Sequence, residues 1–264
     1  MSHSGLLWCA PAPGLSCFAC CPPIRPAGYD HADHASSLRR LLAENTRQFR
    51  RQGPPRAPMT GFWCPGLGFL DPAGRTVGCL LHPARHGGRD LRGPTGYQEK
   101  CARESCPPAR AFAALEPQAR QALAGLCAGL DSFAYSSPRL NPVMRLLAFG
   151  PVVAAAAARL APAGREELAA WAWLGRTDPA LGWLLGRRLE SWGDPALGWP
   201  GLAARLEGEA RELSRRLEPQ PPLEQGSPLG QLCGEWEARA WRALTGRRRA
   251  RPAELARWRQ AARG

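Results

Sequence analysis

Cys17-Phe18-Ala19-Cys20-Cys21, Cys64, Cys79 and Cys101-x4-Cys106 set thiols along the chain in closely spaced groups, with Cys9 ahead of them. Eight of the ten cysteines and all five histidines lie within the first 106 residues. Thiolate and imidazole bind zinc, iron and iron–sulfur clusters, and such centres need several of them brought together. Cys17-x-x-Cys20 places two thiolates on one tight loop, able to grip one metal atom or neighbouring irons. A redox CxxC wants a strand before it and a helix after, whereas here Pro22-Pro23 follows at once. His82 stands three residues after Cys79, a spacing found in zinc sites, while His31 and His34 read as an ordinary helix N-terminus. Cys127 and Cys233 fall on apolar helical patterns and read as small buried hydrophobes. The expected metal ligands are Cys17, Cys20, Cys64, Cys79, Cys101 and Cys106, with Cys21 and His82 in reserve. Thiolate sets suit zinc and a 4Fe–4S cluster alike. The thiol count exceeds what one zinc needs, and Cys-Pro at 21–22 and 106–107 is similar to the proline after a ferredoxin ligand. An iron–sulfur cluster is therefore preferred over structural zinc.

The order of these groups also carries a family resemblance. Cys17-x-x-Cys20-Cys21 is followed by Cys64-Pro65, then by Leu70-Asp71-Pro72-Ala73-Gly74-Arg75 leading to Cys79-Leu80-Leu81-His82, then by Cys106 with Arg110. This series resembles the cysteine-cluster proteins of the YkgJ type, described as zinc- or iron-chelating. The resemblance covers about residues 17–110, with a shortened first cluster and an insertion around His86 to Gly96. It implies metal chelation by these cysteines. A flagellin lysine N-methylase is related to that family, which implies a modifying enzyme as a second reading. On that reading Arg85, Arg89 and Arg92 would line an anion pocket beside the metal.

The elements that must position these residues divide unevenly. His34 to Arg51 reads as a helix, with Leu38, Leu41, Leu42 and Phe49 on one face. Two short extended segments flank the turn Asp71-Pro72-Ala73-Gly74, and Arg85 to Gly96 reads as a loop. Beyond Pro108 the pattern is helical: Glu116–Leu130, Pro142–Ala161, Gly164–Leu174, Pro179–Ser191, Pro200–Leu217, Pro228–Thr245 and Pro252–Ala262, several opening with Pro in the first turn. Asp178-Pro-Ala-Leu-Gly-Trp183 recurs as Asp194 to Trp199, which gives each copy an N-cap and a helix start. The expected architecture is mostly α: a small irregular Cys/His-rich metal-binding domain over 1–110, then an α-helical domain over 111–264 with a basic tail.

Composition narrows the function classes. The segment before Cys9 has no basic region, and Leu6-Leu7-Trp8 is too short for a signal peptide core. Val143 to Leu160 is interrupted by Arg145, Gly150-Pro151 and Arg159, short of the ~20 apolar residues a span requires. The reading is cytoplasmic, without a membrane partner, where clustered thiols serve metals more often than bridges. The net charge of +13 rests on thirty-four arginines and one lysine, an imbalance a GC-rich codon usage produces unaided. Its densest part is Arg239 to Gly264, with nine arginines and the single acid Glu254. Interleaved with Trp236, Trp241 and Trp258, that tail could pair with phosphates and stack on bases, or meet an acidic protein partner. Helical spacing of Trp236 with Ala240 and of Leu255 with Trp258 favours packing instead, and argues against nucleic acid. There is no Walker A sequence, Rossmann glycine fingerprint, nucleophile elbow or HExxH.

Overall fold

The computed structural model describes residues 6–12, 14–19, 30, 32–56, 58, 64–96, 106–163, 166–192, 198–216 and 226–263. It is mostly helical and packs as two compact units, of which the first is discontinuous: Met1–Arg110 together with Cys127–Asn141. The second holds Ala111–Leu126 and Pro142–Gly264. Nothing in the spacing of the residues signalled that Cys127–Asn141 groups with Met1–Arg110.

In the first unit, α1 (His34–Gln52) begins at Asp33, whose side chain accepts from the Ser36 N–H, and stops at Gly53. β1 (Leu67–Phe69) and β2 (Val77–Cys79) pair antiparallel, with Leu67 opposite Cys79 and Phe69 opposite Val77. Their turn is fixed by Asp71, whose carboxylate accepts from the backbone N–H groups of Thr76 and Arg75. The Thr76 bond foremost holds that carboxyl below its usual range. Opposed residues of a ladder share a face, so Leu67, Phe69, Val77 and Cys79 all stand on the side that meets α1. There Leu42, Leu67 and Val77 form a small core, with Phe18, Leu38, Leu41, Cys64, Phe69 and Phe133 packed around it.

Asn45 pins the hairpin entry to α1. Only 3% exposed, its Nδ2 donates to the carbonyls of Cys64 (3.1 Å) and Leu67 (2.8 Å). Asn45→Ala leaves two carbonyls without that donor, and about 2–4 kcal/mol of stability should disappear. Urea unfolding followed through α1 would show it as a lower midpoint, and an unchanged midpoint would refute this role.

The second segment of the first unit carries α4 (Ser132–Ser136), capped by the Asp131 side chain. It follows α2 (Pro107–Ala113) and α3 (Pro117–Gly125) in the chain. A strap of irregular backbone, residues 14–18, lies along α4: Ser16 N donates to Ser132 Oγ (3.1 Å) and Phe18 N to Ser136 Oγ (3.0 Å). Ser16 Oγ also accepts from Val77 N at 3.1 Å, tying strap, hairpin and helix together.

The second unit departs from the helix expectations where Pro and Gly interrupt them. Pro142–Ala161 is two helices, α5 (Pro142–Ala148) and α6 (Pro151–Ala158), because Gly150 takes φ 104° and Pro151 cannot continue a ladder. Gly164–Leu174 is a 3-10 segment over Glu166–Gly175. Asp178 caps a 3-10 turn, accepting from Ala180 N, before α7 (Gly182–Trp192) and α8 (Trp199–Arg216). The second copy's Asp194 lies outside the described residues. Pro228–Thr245 also divides: β3 (Ser227–Pro228), α9 (Leu229–Leu232) and α10 (Glu235–Thr245). β3 pairs antiparallel with β4 (Arg249–Ala250), and α11 (Pro252–Arg263) closes the unit.

Candidate metal centre and the basic tail

Of the expected ligands, Cys20, Cys21 and Cys101 lie outside the described residues, as does His31. Cys17, Cys64, Cys79 and Cys106 are partly buried, and His82 is exposed. Cys64 and Cys79 belong to the hairpin: Cys64 packs on the small core, and Cys79 shares the core face with Leu67. Among the described residues no three His, Cys, Asp or Glu side chains stand close enough together to hold a metal ion. The expectation of one tight centre is therefore not met by Cys17, Cys64, Cys79, Cys106 and His82 as they stand.

A second setting was not foreseen. Tyr135 of α4 is fully buried, donates from its hydroxyl to the Trp8 carbonyl (2.7 Å) and lies against the Trp8 ring at 4.7 Å. Burial pushes its phenol far up, and the charges of Cys127, Cys17, Cys9 and Cys106 add to the shift. These four cysteines come from four places in the chain. Cys17 N donates to the Cys9 carbonyl at 3.0 Å. Cys127 is 0% exposed, and its Sγ meets Asn141 Oδ1 at 3.7 Å, while Asn141 Nδ2 donates to the Tyr135 carbonyl at 2.9 Å. The reading of Cys127 as a small buried group is correct about burial but missed these neighbours. Its helical period gave no hint that the segment returns to the cysteine-bearing unit.

His86 and Arg92 make contacts within the first unit. His86 Nε2 pairs with the Leu80 carbonyl at 2.7 Å, and the ring sits 6.0 Å from Phe49. Arg92, expected in an anion pocket, is 8% exposed and forks onto Asp90 through Nε (2.8 Å) and Nη2 (2.7 Å). Arg85 and Arg89 are exposed. A guanidinium closed on a carboxylate in this way is a poor receptor for a second anion.

The tail is packed as the helical spacing suggested. Trp258 stacks on Trp183 at 5.3 Å and 10°, and Trp241 meets Trp258 edge-on at 5.6 Å. Both Trp241 and Trp258 are buried, so neither ring offers a stacking surface to a base. Arg247 is buried against Glu254 (3.0 Å), and Arg259 Nη2 pairs with Glu237 Oε2 (2.9 Å). Arg249 Nε donates to the Gly226 carbonyl at 2.6 Å. Glu254 accepts from the Arg251 N–H (2.8 Å); this bond, then Arg247, lowers its carboxyl below the usual range. A depressed folded-state value stabilises above the unfolded carboxylate range and is lost as pH falls through it. Melting temperature should therefore decline below about pH 4–5. Glu254→Gln should flatten part of that decline, and an identical acid profile in the variant would refute the assignment. Among the described residues no helix is long and apolar enough to cross a membrane.

No protein-family model, curated protein or solved structure matches the chain.

Proposed function

We propose that the chain is a metal-binding cysteine-cluster protein, with an iron–sulfur cluster preferred over structural zinc. One observation carries the reading. Six of the seven described cysteines (Cys9, Cys17, Cys64, Cys79, Cys106 and Cys127) belong to the first unit, and Cys233 alone belongs to the second. Among its described residues the regular structure of that unit is one long helix, one short one, two three-residue strands and small 3-10 turns. Small, loop-rich units of this kind gain from a metal what their cores do not supply. The donors are soft thiolates from separate loops, which fit zinc or iron–sulfur chemistry and not a hard cation. The resemblance to cysteine-cluster chelators of the YkgJ type points the same way.

When bound, such a centre supplies either a structural cross-link or a one-electron couple. The chain's own residues supply the thiol donors. Anaerobic purification of the full chain, with elemental and sulfide analysis and a visible spectrum, tests the proposal. A brown protein containing iron and acid-labile sulfide is the expected result; a colourless protein with stoichiometric zinc would favour the structural site. A full complement of alkylatable thiols with no bound metal would refute both.

A further inference from the structure

We infer that the outward face of α1, together with the arginine loop at its C-terminal end, is a docking surface for the phosphate backbone of double-stranded DNA. This surface is separate from the tail that the charge count singled out, and it is independent of the metal-binding reading.

The surface follows from the helical period. At about 100° per residue, Leu38, Leu42, Asn45 and Phe49 make up the arc of α1 that turns inward. Arg39, Arg50, Arg47, Arg40 and Arg51 fall on the remaining side, within an arc of about 120°, and all five are exposed. Glu44, at the edge of that arc, is the only acid in the helix. Two of the five arginines are engaged: Arg39 pairs with Asp131 at 3.0 Å and lies 4.2 Å over the Phe133 ring, and Arg47 pairs with Glu44. Among the described residues Arg40, Arg50 and Arg51 pair with no acid; Arg40 Nη2 reaches Ser37 Oγ at 3.4 Å. The positive surface continues past the helix. Exposed Arg56 follows the stop at Gly53, and the Phe49 ring lies 6.0 Å from His86, which sets the loop bearing exposed Arg85 and Arg89 at the same end of α1.

Charge complementarity selects the partner. Arginine-rich codon usage raises the number of guanidiniums throughout the chain, but it does not decide which of them lack carboxylates. In the tail Arg247 and Arg259 are closed on Glu254 and Glu237, whereas α1 leaves three guanidiniums in one exposed arc. Open guanidiniums suit phosphate oxygens, which they can grip through two parallel hydrogen bonds. Arg40 to Arg51 is eleven residues, or about 16 Å of helix at 1.5 Å per residue. That row is long enough to meet phosphates on both rims of a B-DNA major groove, about 12 Å wide. The narrow, deep major groove of an RNA duplex does not admit a helix in this way. A single strand is held largely by stacking on aromatic rings, and the exposed arc carries none. The neighbouring amide that could read a base, Gln48, donates to Glu44 at 3.0 Å. The contacts therefore position the duplex without reading its sequence.

The test titrates the full chain, as purified, against a fluorescently labelled mixed-sequence DNA duplex over a series of salt concentrations. Three proteins are compared: wild type, the triple variant Arg40→Gln, Arg50→Gln, Arg51→Gln, and a matched triple variant of exposed tail positions, Arg248→Gln, Arg251→Gln, Arg257→Gln. Glutamine is nearly as good a helix former as arginine, so α1 should persist, and circular dichroism checks it. Wild-type affinity should fall linearly with the logarithm of salt concentration. The α1 variant should lose about three from that slope and weaken alike on duplexes of different sequence, while the tail variant matches wild type. Should the triple α1 variant fail to fold, Arg50→Gln alone decides the question through a slope change of about one. Equal losses in the two triple variants overturn the inference, as does an α1 variant that keeps the wild-type slope. A wild type without salt-sensitive binding overturns it too. So does tighter binding, at equal ionic strength, to a single strand, an RNA duplex or polyglutamate, the last of which would point to an acidic protein partner instead.

Discussion

Stripping metal from the full chain under anaerobic conditions should unfold the first unit and leave the second protected. On the proposed reading, thiolate coordination is part of that unit's folding free energy. Structural zinc contributes about 10–16 kcal/mol in small metal-folded domains, against the ~5–15 kcal/mol that holds an ordinary domain together. Leu42, Leu67 and Val77 form the small core between α1 and the hairpin, the part of the first unit in which such a loss would be read. Amide hydrogen exchange reads the outcome by element. Amides of α1 and of the β1–β2 ladder should exchange freely once a chelator has removed the metal. Those of α6 and α7, whose buried faces carry Val153, Ala157, Leu184 and Leu185, should stay slow. Equal protection of α1 before and after metal removal would show that the unit stands without a metal.

Gly182→Ala should be the most damaging single methyl in the second unit. A Cβ built at this position lies 1.9 Å from the Phe149 carbonyl oxygen and 2.4 Å from its carbon. Those are backbone atoms at the end of α5, so no side chain can swing aside, and α7 must shift as a whole. Overpacking of this kind costs about 1–3 kcal/mol when side chains can adjust, and more when the backbone has to move. At roughly 2–4 °C per kcal/mol for a protein of this size, the melting temperature should drop by about 6–12 °C. Gly208→Ala is the matched control. It lies within α8 with nothing inside 4 Å of its Cβ, and should stabilise by about 0.5–1 kcal/mol through lower chain entropy. A tolerated Gly182→Ala would mean that the close approach of α7 to Phe149 is not needed for folding.

The basic tail illustrates how charge counts mislead when read alone. Nine arginines against one acid suggest an anion-binding surface. Arg247, Arg249 and Arg259 are instead engaged with Glu254, Gly226 and Glu237, and the buried tryptophans join α7, α10 and α11. Arginine suits such sites because its planar fork can satisfy a carboxylate while its stem and face lie against an indole. Arg247 does both, pairing with Glu254 and lying 5.3 Å from the Trp241 ring.

Local chemistry alone was enough to determine several elements. Leucines at helical spacing and a flanking Asp defined α1, and an Asp-Pro-Ala-Gly turn between apolar runs defined the hairpin. Proline-led starts marked most helices of the second unit. These signals are short-range, since caps, turns and amphipathic periods are set by neighbours in the chain. The breaks at Gly150-Pro151 and Cys233-Gly234 were equally visible as residues, but the overall apolar period outweighed them in the reading.

The grouping of thiols was different, because sequence spacing brings together only cysteines that share a loop. Cys127 lies 110 residues beyond Cys17 and looked like one more apolar helical position. What ties its segment, Cys127–Asn141, to the first unit is the bonding of Ser132, Tyr135 and Ser136 to Ser16, Trp8 and Phe18. Those are polar residues buried by long-range hydrogen bonds, and such partners leave no period in the chain. The sequence by itself therefore determined which chemistry is present and most of the helices that carry it. Only the tertiary structure decided which cysteine-bearing segments pack together, because that choice depends on which distant segments can satisfy each other's buried polar groups.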